Sequence, residues 1–175
     1  MTNWNISIFN FLHSFSGQSV WGDKVISFCA QYLGWFVVAS LIVCLVIYSR
    51  RPRRVRKLFD AFVIAGVAWG IAASLKYLIY SPRPFEMAIK VRSLFITGGG
   101  EAFPSGHTTF FTALGLALWR YDRRLSVFVI VCALVISITR IIAGVHWPID
   151  VVGGWLVAIL VVLIMVITRK VLKRR

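Results

Sequence analysis

The fold class follows from one stretch, VISFCAQYLGWFVVASLIVCLVIY at positions 25–48, which holds 24 consecutive residues without a charged side chain. As a helix it would rise about 36 Å, at about 1.5 Å per residue, and a bilayer core is about 30 Å thick. The basic run RRPRRVRK, residues 50–57, follows almost at once. An apolar segment that ends at a basic run is typical of a membrane span.

Four more apolar segments follow along the chain, at residues 61–80, 104–119, 125–144 and 148–168. Residues 4–17 are too short and too polar to span, and their large apolar side chains fall roughly on one helical face, so we expect an interfacial helix. Those side chains are Trp4, Ile8, Phe11, Leu12 and Phe15. The sequence therefore predicts an all-α, polytopic transmembrane bundle of five to six spanning helices with an interfacial N-terminal helix, in one domain over residues 1–175.

The composition agrees with a membrane protein. Hydrophobic residues make up 59% of the chain, against about 45–50% in a soluble domain, and the mean hydropathy is +0.81. The formal net charge of +14 would suggest a nucleic acid partner in a soluble protein. Here the basic residues are clustered between apolar segments, so we expect no nucleic acid binding. Cys29, Cys44 and Cys132 lie within apolar stretches, without metal-ligand spacing, and are interpreted as small apolar residues.

The distribution of basic residues predicts the orientation. Residues 50–57, 120–124 and 169–175 hold 14 of the 20 Lys and Arg residues. With five spans, these three regions lie on one side, which the positive-inside rule makes cytoplasmic. The loops at residues 81–103 and 144–148 then face outward. We expect a multi-pass protein of the plasma or inner membrane whose outward loops face the outside or the periplasm.

Charged residues also occur where this rule does not explain them. Lys76 and Arg140 lie inside apolar segments, and a cation there usually faces a cavity or a partner. The alternative for Lys76 is that it reaches the nearby interface, because it is four residues from the end of its segment. With Arg83, however, both cations fall at the outer ends of the helices. Such a cluster would repel itself without an anion, and phosphate suits forked arginine donors.

Two histidines and a carboxylate fall in the same layer. A carboxylate at Asp150 would hold one tautomer of His146 and leave its other nitrogen free to attack, so His146 is the candidate nucleophile. His107 is the candidate acid for the leaving oxygen. Ser105 and Gly106 precede it as a helix start, where backbone N–H groups bind anions; an ordinary capped helix would explain these two residues but not His107. One carboxylate makes a poor metal site, so we expect no metal and no other cofactor.

These residues resemble the signature motifs of the type 2 phosphatidic acid phosphatase superfamily, which includes membrane lipid phosphatases and soluble vanadium haloperoxidases. The matching motifs are Lys76-x6-Arg83-Pro84, Pro104-Ser105-Gly106-His107 and Arg140-x5-His146-x3-Asp150. The resemblance implies a phosphohistidine on His146, oriented by Asp150, with His107 as general acid and no metal requirement. It implies phosphate binding by Lys76, Arg83, Ser105, Gly106 and Arg140. The family usually has Ser where this chain has Thr139, which keeps a hydroxyl.

Within the superfamily, the SPRPFE sequence at residues 81–86 and the small size are most similar to bacterial undecaprenyl diphosphate phosphatases. The expected function is hydrolysis of a lipid phosphate or diphosphate, undecaprenyl diphosphate first. Phosphatidylglycerophosphate, phosphatidic acid and lipid A phosphatases are alternatives with the same motifs. A haloperoxidase is disfavoured by the spans, and a non-enzymatic lipid-binding protein or transporter by the complete set of catalytic residues. The sequence leaves the oligomeric state open.

The long outward loop holds further polar residues without an assigned role. Glu86, Lys90 and Arg92 could help to select the head group, although solvated loop charges need no function. Three consecutive glycines at residues 98–100 could let the loop move over the site, although such runs are common without that role.

Overall fold

The computed structural model describes residues 2–87, 91–95 and 100–172, and within these ranges the chain forms eight helices and no strand. The predicted all-α class is confirmed. The helices are α1 (Asn3–His13), α2 (Val20–Gln31), α3 (Leu33–Ile47), α4 (Pro52–Leu78), α5 (Pro84–Met87), α6 (Gly106–Leu118), α7 (Arg123–Ile142) and α8 (Pro148–Leu172). All five apolar segments predicted to span are helical.

The helices differ in whether they are long enough to cross a bilayer. Among the described residues, α4, α7 and α8 are long and apolar enough, and α2 with α3 makes a fourth span if the pair, bent by 49°, is counted as one. The helix in the remaining segment, α6, has 13 residues, or about 20 Å against a core of about 30 Å. The prediction of five full-length spans therefore overestimated α6, which does not meet the length requirement by itself.

The bend between α2 and α3 lies at Tyr32, which separates the two helices. Neither a proline nor a charged residue is present there, so the bend was not predicted from the sequence. The bend places Gln31, Tyr32 and Trp35 beside the charged end of the bundle, where all three line a cavity.

The short helix α6 lies in the centre of the bundle, in contact with α4, α7 and α8. Glycines permit this close packing. A Cβ at Gly115 would come within 2.7 Å of the Ile130 side chain on α7, and one at Gly154 of α8 within 2.9 Å of the Ser105 carbonyl oxygen. Because atoms this close would clash, larger residues at these two positions would push α6 away from its neighbours.

The N-terminal helix α1 packs against α7 and α8 at the end of the bundle where α7 ends and α8 begins. Its inner face buries Asn5 and Phe9, whereas Trp4, Ile8, Phe11 and Phe15 are exposed. Leu12 is half-buried and packs against the cluster around Phe9. With 11 residues, α1 is about 16 Å long and too short to span. An exposed apolar face on a short helix fits the interfacial position predicted for it.

The opposite end of the bundle gathers the basic regions. Arg169 Nη1 lies 3.1 Å from Asp60 Oδ2 and 3.2 Å from the Tyr121 hydroxyl. The Lys57 ammonium lies 5.5 Å from the centre of the Tyr121 ring. These contacts join residues from all three basic clusters, so the clusters share one end of the bundle, as the sequence predicted.

Candidate active site

A polar cavity of about 410 Å³ opens at the end of the bundle away from the basic clusters. Six of the eight predicted site residues line it: Lys76, Arg83, Gly106, His107, Arg140 and His146. The remaining wall is formed by Gln31, Tyr32, Trp35, Trp69 and Phe95. The six predicted residues come from α4, α6, α7 and two loops and lie up to 70 residues apart in sequence, yet they line a single space.

The turn after α7 sets the spacing of Arg140 and His146. Gly144 has a φ of 75°, a left-handed conformation that glycine adopts without strain. Its N–H donates to Ile141 O, and the Val145 N–H donates to Arg140 O at 3.2 Å. This pair of bonds is the Schellman motif that ends many helices. Because the motif reverses the chain within two residues, Arg140 and His146 reach the same cavity.

His146 and Asp150 form the predicted pair. His146 Nδ1 lies 3.3 Å from Asp150 Oδ2, and both side chains are almost completely buried. The Trp147 backbone N–H also donates to Asp150 Oδ2, at 2.7 Å, which fixes the carboxylate in place. A proton on Nδ1 that donates to this carboxylate leaves Nε2 with a free lone pair, as a nucleophile requires.

The protonation state of His146 suits this role. Burial lowers the pKa of His146 well below its ordinary value, and the positive charges of Arg140, Arg83 and Lys76 lower it further. The imidazole is therefore neutral at physiological pH before an anion enters. A neutral ring can attack a phosphorus atom, whereas an imidazolium cannot.

Lys76 lines the cavity and is held by two backbone carbonyls. Its ammonium donates to the carbonyl oxygens of Glu101 and Ala102, at 2.5 and 3.1 Å. An ammonium has three donors, so one remains for a ligand after these two bonds. These contacts favour the cavity position over the alternative that Lys76 extends to the membrane surface.

The two arginines are buried and held by backbone carbonyls. Arg83 donates from Nε to Gly100 O at 3.1 Å and from Nη1 to Val145 O at 3.2 Å. Arg140 donates from Nη1 to Ala30 O at 3.0 Å, at the end of α2. Its Nε has no partner within the part of the chain that the structure describes. A buried guanidinium with an unused donor beside a cavity fits an anion-binding role.

The start of α6 supplies the remaining predicted residues. Gly106 and His107 line the cavity, and the His107 side chain is exposed to it. Ser105 is the N-cap residue, as expected, but its side chain forms no capping hydrogen bond. Its buried hydroxyl accepts from Thr108 Oγ1 at 3.1 Å, and its N–H donates to Asp150 O at 2.9 Å. Phosphate binding by Ser105 stays a prediction, since the residue is not part of the cavity wall.

Sequence reasoning missed the residues that support the site from outside. Glu101 accepts from the Ser81 N–H and thereby joins the two ends of the long loop. The Trp147 indole donates to Pro82 O at 3.1 Å. No motif or spacing signals such contacts, because each joins residues that are distant in sequence.

The loop residues without an assigned role have different outcomes. Glu86 accepts from the Arg83 N–H at 2.9 Å, so it braces a cavity residue. Arg92 is exposed. Lys90, Gly98 and Gly99 lie outside the described residues, so the suggestions made for them stay predictions.

A second cavity, also of about 410 Å³, adjoins the polar one and is almost entirely apolar. Its walls come from α3, α4 and α6: Gly34, Trp35, Val38, Phe62, Trp69, Phe110 and Phe111. Five residues line both cavities: Gln31, Trp35, Trp69, Gly106 and His107. The arrangement offers a polar space for an anion next to an apolar groove for a hydrocarbon chain.

Comparison with known proteins agrees with this geometry. A sequence profile of the PAP2 superfamily, the type 2 phosphatidic acid phosphatases, matches residues 57–174. The chain belongs to the PAP2 superfamily. The matched region contains every predicted site residue. With its membrane-spanning helices, this PAP2 protein is a hydrolase of the lipid-phosphatase branch.

Individual relatives of this PAP2 protein are similar over most of its length. It is 30% identical to the undecaprenyl-diphosphatase BcrC of Bacillus subtilis, over 90% of this chain and 80% of the relative. The crystal structure of Aquifex aeolicus LpxE superimposes with a TM-score of 0.74 at 28% identity, over 93% and 94% of the two chains. A transmembrane PAP2-type phosphatidylglycerolphosphate phosphatase from Bacillus subtilis shares the fold, with a TM-score of 0.68 at 17% identity over 97% and 88%.

Proposed function

We propose that this PAP2 protein removes the terminal phosphate of undecaprenyl diphosphate at the outer face of the plasma or inner membrane. The observation that carries the proposal is the cavity in which His146 lies among Lys76, Arg83 and Arg140, next to an apolar groove. The three cations match a phosphate dianion, and the groove matches a polyprenyl chain. The 30% identical relative named undecaprenyl-diphosphatase supports the same substrate.

The reaction begins with the neutral imidazole. Nε2 of His146 attacks the terminal phosphorus and forms a phosphorus–nitrogen bond, while the bond to the bridging oxygen breaks. Asp150 stabilises the positive charge that develops on the ring. The negative charge of the bound substrate offsets the neighbouring cations and allows His107 to hold a proton. His107 donates this proton to the bridging oxygen, which leaves as part of undecaprenyl phosphate.

A water molecule completes the cycle. His107, now unprotonated, takes a proton from the water, whose oxygen attacks the phosphohistidine. The phosphorus–nitrogen bond breaks, and inorganic phosphate leaves. Throughout, Lys76, Arg83 and Arg140 hold the equatorial oxygens, where charge is spread in the transition state. The described residues contain no group of three His, Cys, Asp or Glu side chains that could hold a metal, and we propose that the protein's own cations carry the charge.

The orientation rests on the positive-inside rule. The cavity lies at the end of the bundle opposite the basic clusters, which we assign to the cytoplasm. The phosphate cavity then faces the outside or the periplasm, and the apolar groove lies within the bilayer. A substrate in the outer leaflet could thus bind with its head group in the phosphate cavity and its hydrocarbon chain in the apolar groove at the same time.

The test is phosphate release by the purified protein in detergent with EDTA. The panel is undecaprenyl diphosphate, phosphatidylglycerophosphate, phosphatidic acid and lipid A, and His146→Ala is the control. We expect release mainly from the diphosphate, and none by the variant. Release mainly from a monophosphate lipid would replace the substrate but keep the mechanism. Release that persists in His146→Ala would refute the nucleophile, and no release from any lipid would favour a binding protein. Bromide oxidation with added vanadate would instead indicate a haloperoxidase.

A further inference from the structure

The interfacial helix α1 contacts the segment that carries the nucleophile at three points. Asn5 Oδ1 accepts from the Ile149 N–H at 2.9 Å. The Phe9 ring lies 4.7 Å from the Trp147 ring, centroid to centroid. His13 Nδ1 lies 2.9 Å from Ile142 O. Between them, these contacts hold the whole turn from the end of α7 to the start of α8.

Asn5 supplies the N-cap hydrogen-bond acceptor that the start of α8 lacks. The first N–H groups of a helix have no partner in the helix, and an N-cap side chain usually accepts from the second or third of them. The residue before α8 is Trp147, whose indole cannot accept a hydrogen bond. Asn5 accepts from Ile149, the second residue of α8, although it lies 144 positions earlier. Asn5 thus caps α8 from another helix.

The first turn of α8 also carries the residue that orients the nucleophile. Asp150 follows Ile149 directly and accepts from the Trp147 N–H through the oxygen that faces His146. This is the reciprocal half of a capping box, in which the third helical residue accepts from the N–H of the N-cap residue. Asn5 and Asp150 therefore complete one capping arrangement, and a shift of the first turn would move Asp150 and His146 together.

The Asn5 side chain is buried in a specific contact and does not lie on the surface. Its side chain is 2% exposed, and burial of an amide is unfavourable unless it is hydrogen-bonded. Asn10, on the same helix, is exposed. The buried amide of Asn5 therefore lies on the face of α1 that packs against the start of α8.

We infer that Asn5 is a positioning residue for the phosphatase reaction: by capping α8 from α1, it holds the His146–Asp150 pair in the geometry for attack. The inference rests on the proposed function, in which His146 is the nucleophile. Asn5 touches neither the cavity nor the substrate. It acts on the chemical step and leaves the phosphate-binding cations where they are.

The experiment compares Asn5→Ala with wild type in detergent micelles, with undecaprenyl diphosphate as substrate and inorganic phosphate as inhibitor. We expect kcat to fall roughly 10- to 100-fold, because small displacements of a reacting group have large effects on rate. The inhibition constant of phosphate should change less than about twofold, since no phosphate-binding residue is altered. Asn5→Asp keeps the accepting oxygen and should restore kcat to within about threefold. Asn10→Ala is the matched control and should behave as wild type.

Asn5→Ser covers the case in which the alanine variant does not fold, because its hydroxyl is polar but too short to reach Ile149. It should lower kcat without weakening phosphate inhibition. A kcat within about twofold of wild type in both variants would overturn the inference. So would equal losses of kcat and phosphate binding that Asn5→Asp does not restore, which would indicate general destabilisation. His146→Ala in the same assay separates the two proposals: if it remains active, the nucleophile assignment fails whatever Asn5 does.

Discussion

The two ends of the helix bundle both carry several cations, but the cations at the basic end are exposed and those at the cavity end are buried. At the basic end, Arg53 and Arg56 are exposed, and Arg169 shares a half-exposed ion pair with Asp60. At the cavity end, Arg83 and Arg140 are only 7% and 6% exposed. Exposed cations beside a membrane are solvated and set topology, whereas buried ones must be stabilised by neighbours or by a ligand.

This contrast shows which charges carry chemistry. The number of arginines alone would suggest that the basic end carries the chemistry, because it holds most of them. Burial and fixed geometry indicate the cavity end, since each cation there donates to backbone carbonyls that hold it in one place. Preorganised charge stabilises a transition state, and mobile charge in water does so very little. Substitutions at the two ends should therefore differ sharply in their effects.

The largest expected effect is the loss of the nucleophile. His146→Ala should lower kcat by at least about 10⁴-fold, because the covalent route is removed and only binding remains. The measurement is phosphate release from undecaprenyl diphosphate, with thermal unfolding as a check on folding. Trapping of a phosphorylated intermediate in wild type that is absent from the variant would add direct support. A variant with more than a few per cent of wild-type activity would contradict the assignment.

A smaller loss is expected when the orienting carboxylate becomes neutral. Asp150→Asn keeps the shape of the side chain but removes the charge that stabilises a positive His146, so kcat should fall roughly 10²- to 10³-fold. KM should change little, because Asp150 lies behind His146 and away from the cavity wall. Steady-state kinetics give both values. A change confined to KM would show that Asp150 acts on binding.

The arginines compare the two ends directly. Arg140→Lys keeps the charge but removes the forked donors, so kcat/KM should fall roughly 10- to 100-fold. Arg56→Lys at the exposed basic end is the matched control and should change kcat/KM by less than about twofold. Both variants are assayed at equal amounts of folded protein in the same detergent. Equal effects at the two ends would refute the distinction between them.

A small effect is expected at Thr139, which belongs to a signature motif but does not line the cavity. Thr139 Oγ1 donates to Val135 O within α7, at 2.8 Å, and does not line the cavity. Thr139→Ser keeps that bond and should change kcat/KM by less than about twofold. Steady-state kinetics on the same substrate check this. A larger change would show that the methyl group of Thr139 shapes the site.

At the basic end, Arg169→Ala breaks the ion pair with Asp60. The free energy of unfolding should fall by only about 0–1 kcal/mol, since the pair is partly exposed. Activity should be unchanged, and thermal unfolding in detergent measures the stability. A loss of activity without unfolding would reveal coupling between the two ends.

The sequence predicted that residues of three motifs would share one cavity, because each motif is local. Arg140, His146 and Asp150 lie within 11 residues, and a Schellman turn followed by a helix start converts that spacing into one position in space. The predicted interfacial α1 was found as a short helix for a similar reason, since its apolar face shows in the order of its residues. The start of α6 after Ser105 was predicted correctly, but an apolar segment of this length does not reveal whether its helix crosses the whole bilayer.

By itself, the sequence determined the membrane class, the end of the bundle that carries the basic clusters and six of the residues that line the cavity. Hydropathy, charge and short motifs act over one or two turns of helix, so they can be read along the chain. Only the tertiary structure decided the bend at Tyr32, the apolar groove beside the cavity and the cap that Asn5 places on α8. The groove and the cap depend on side chains that are distant in sequence and are brought together by packing, which no local pattern records.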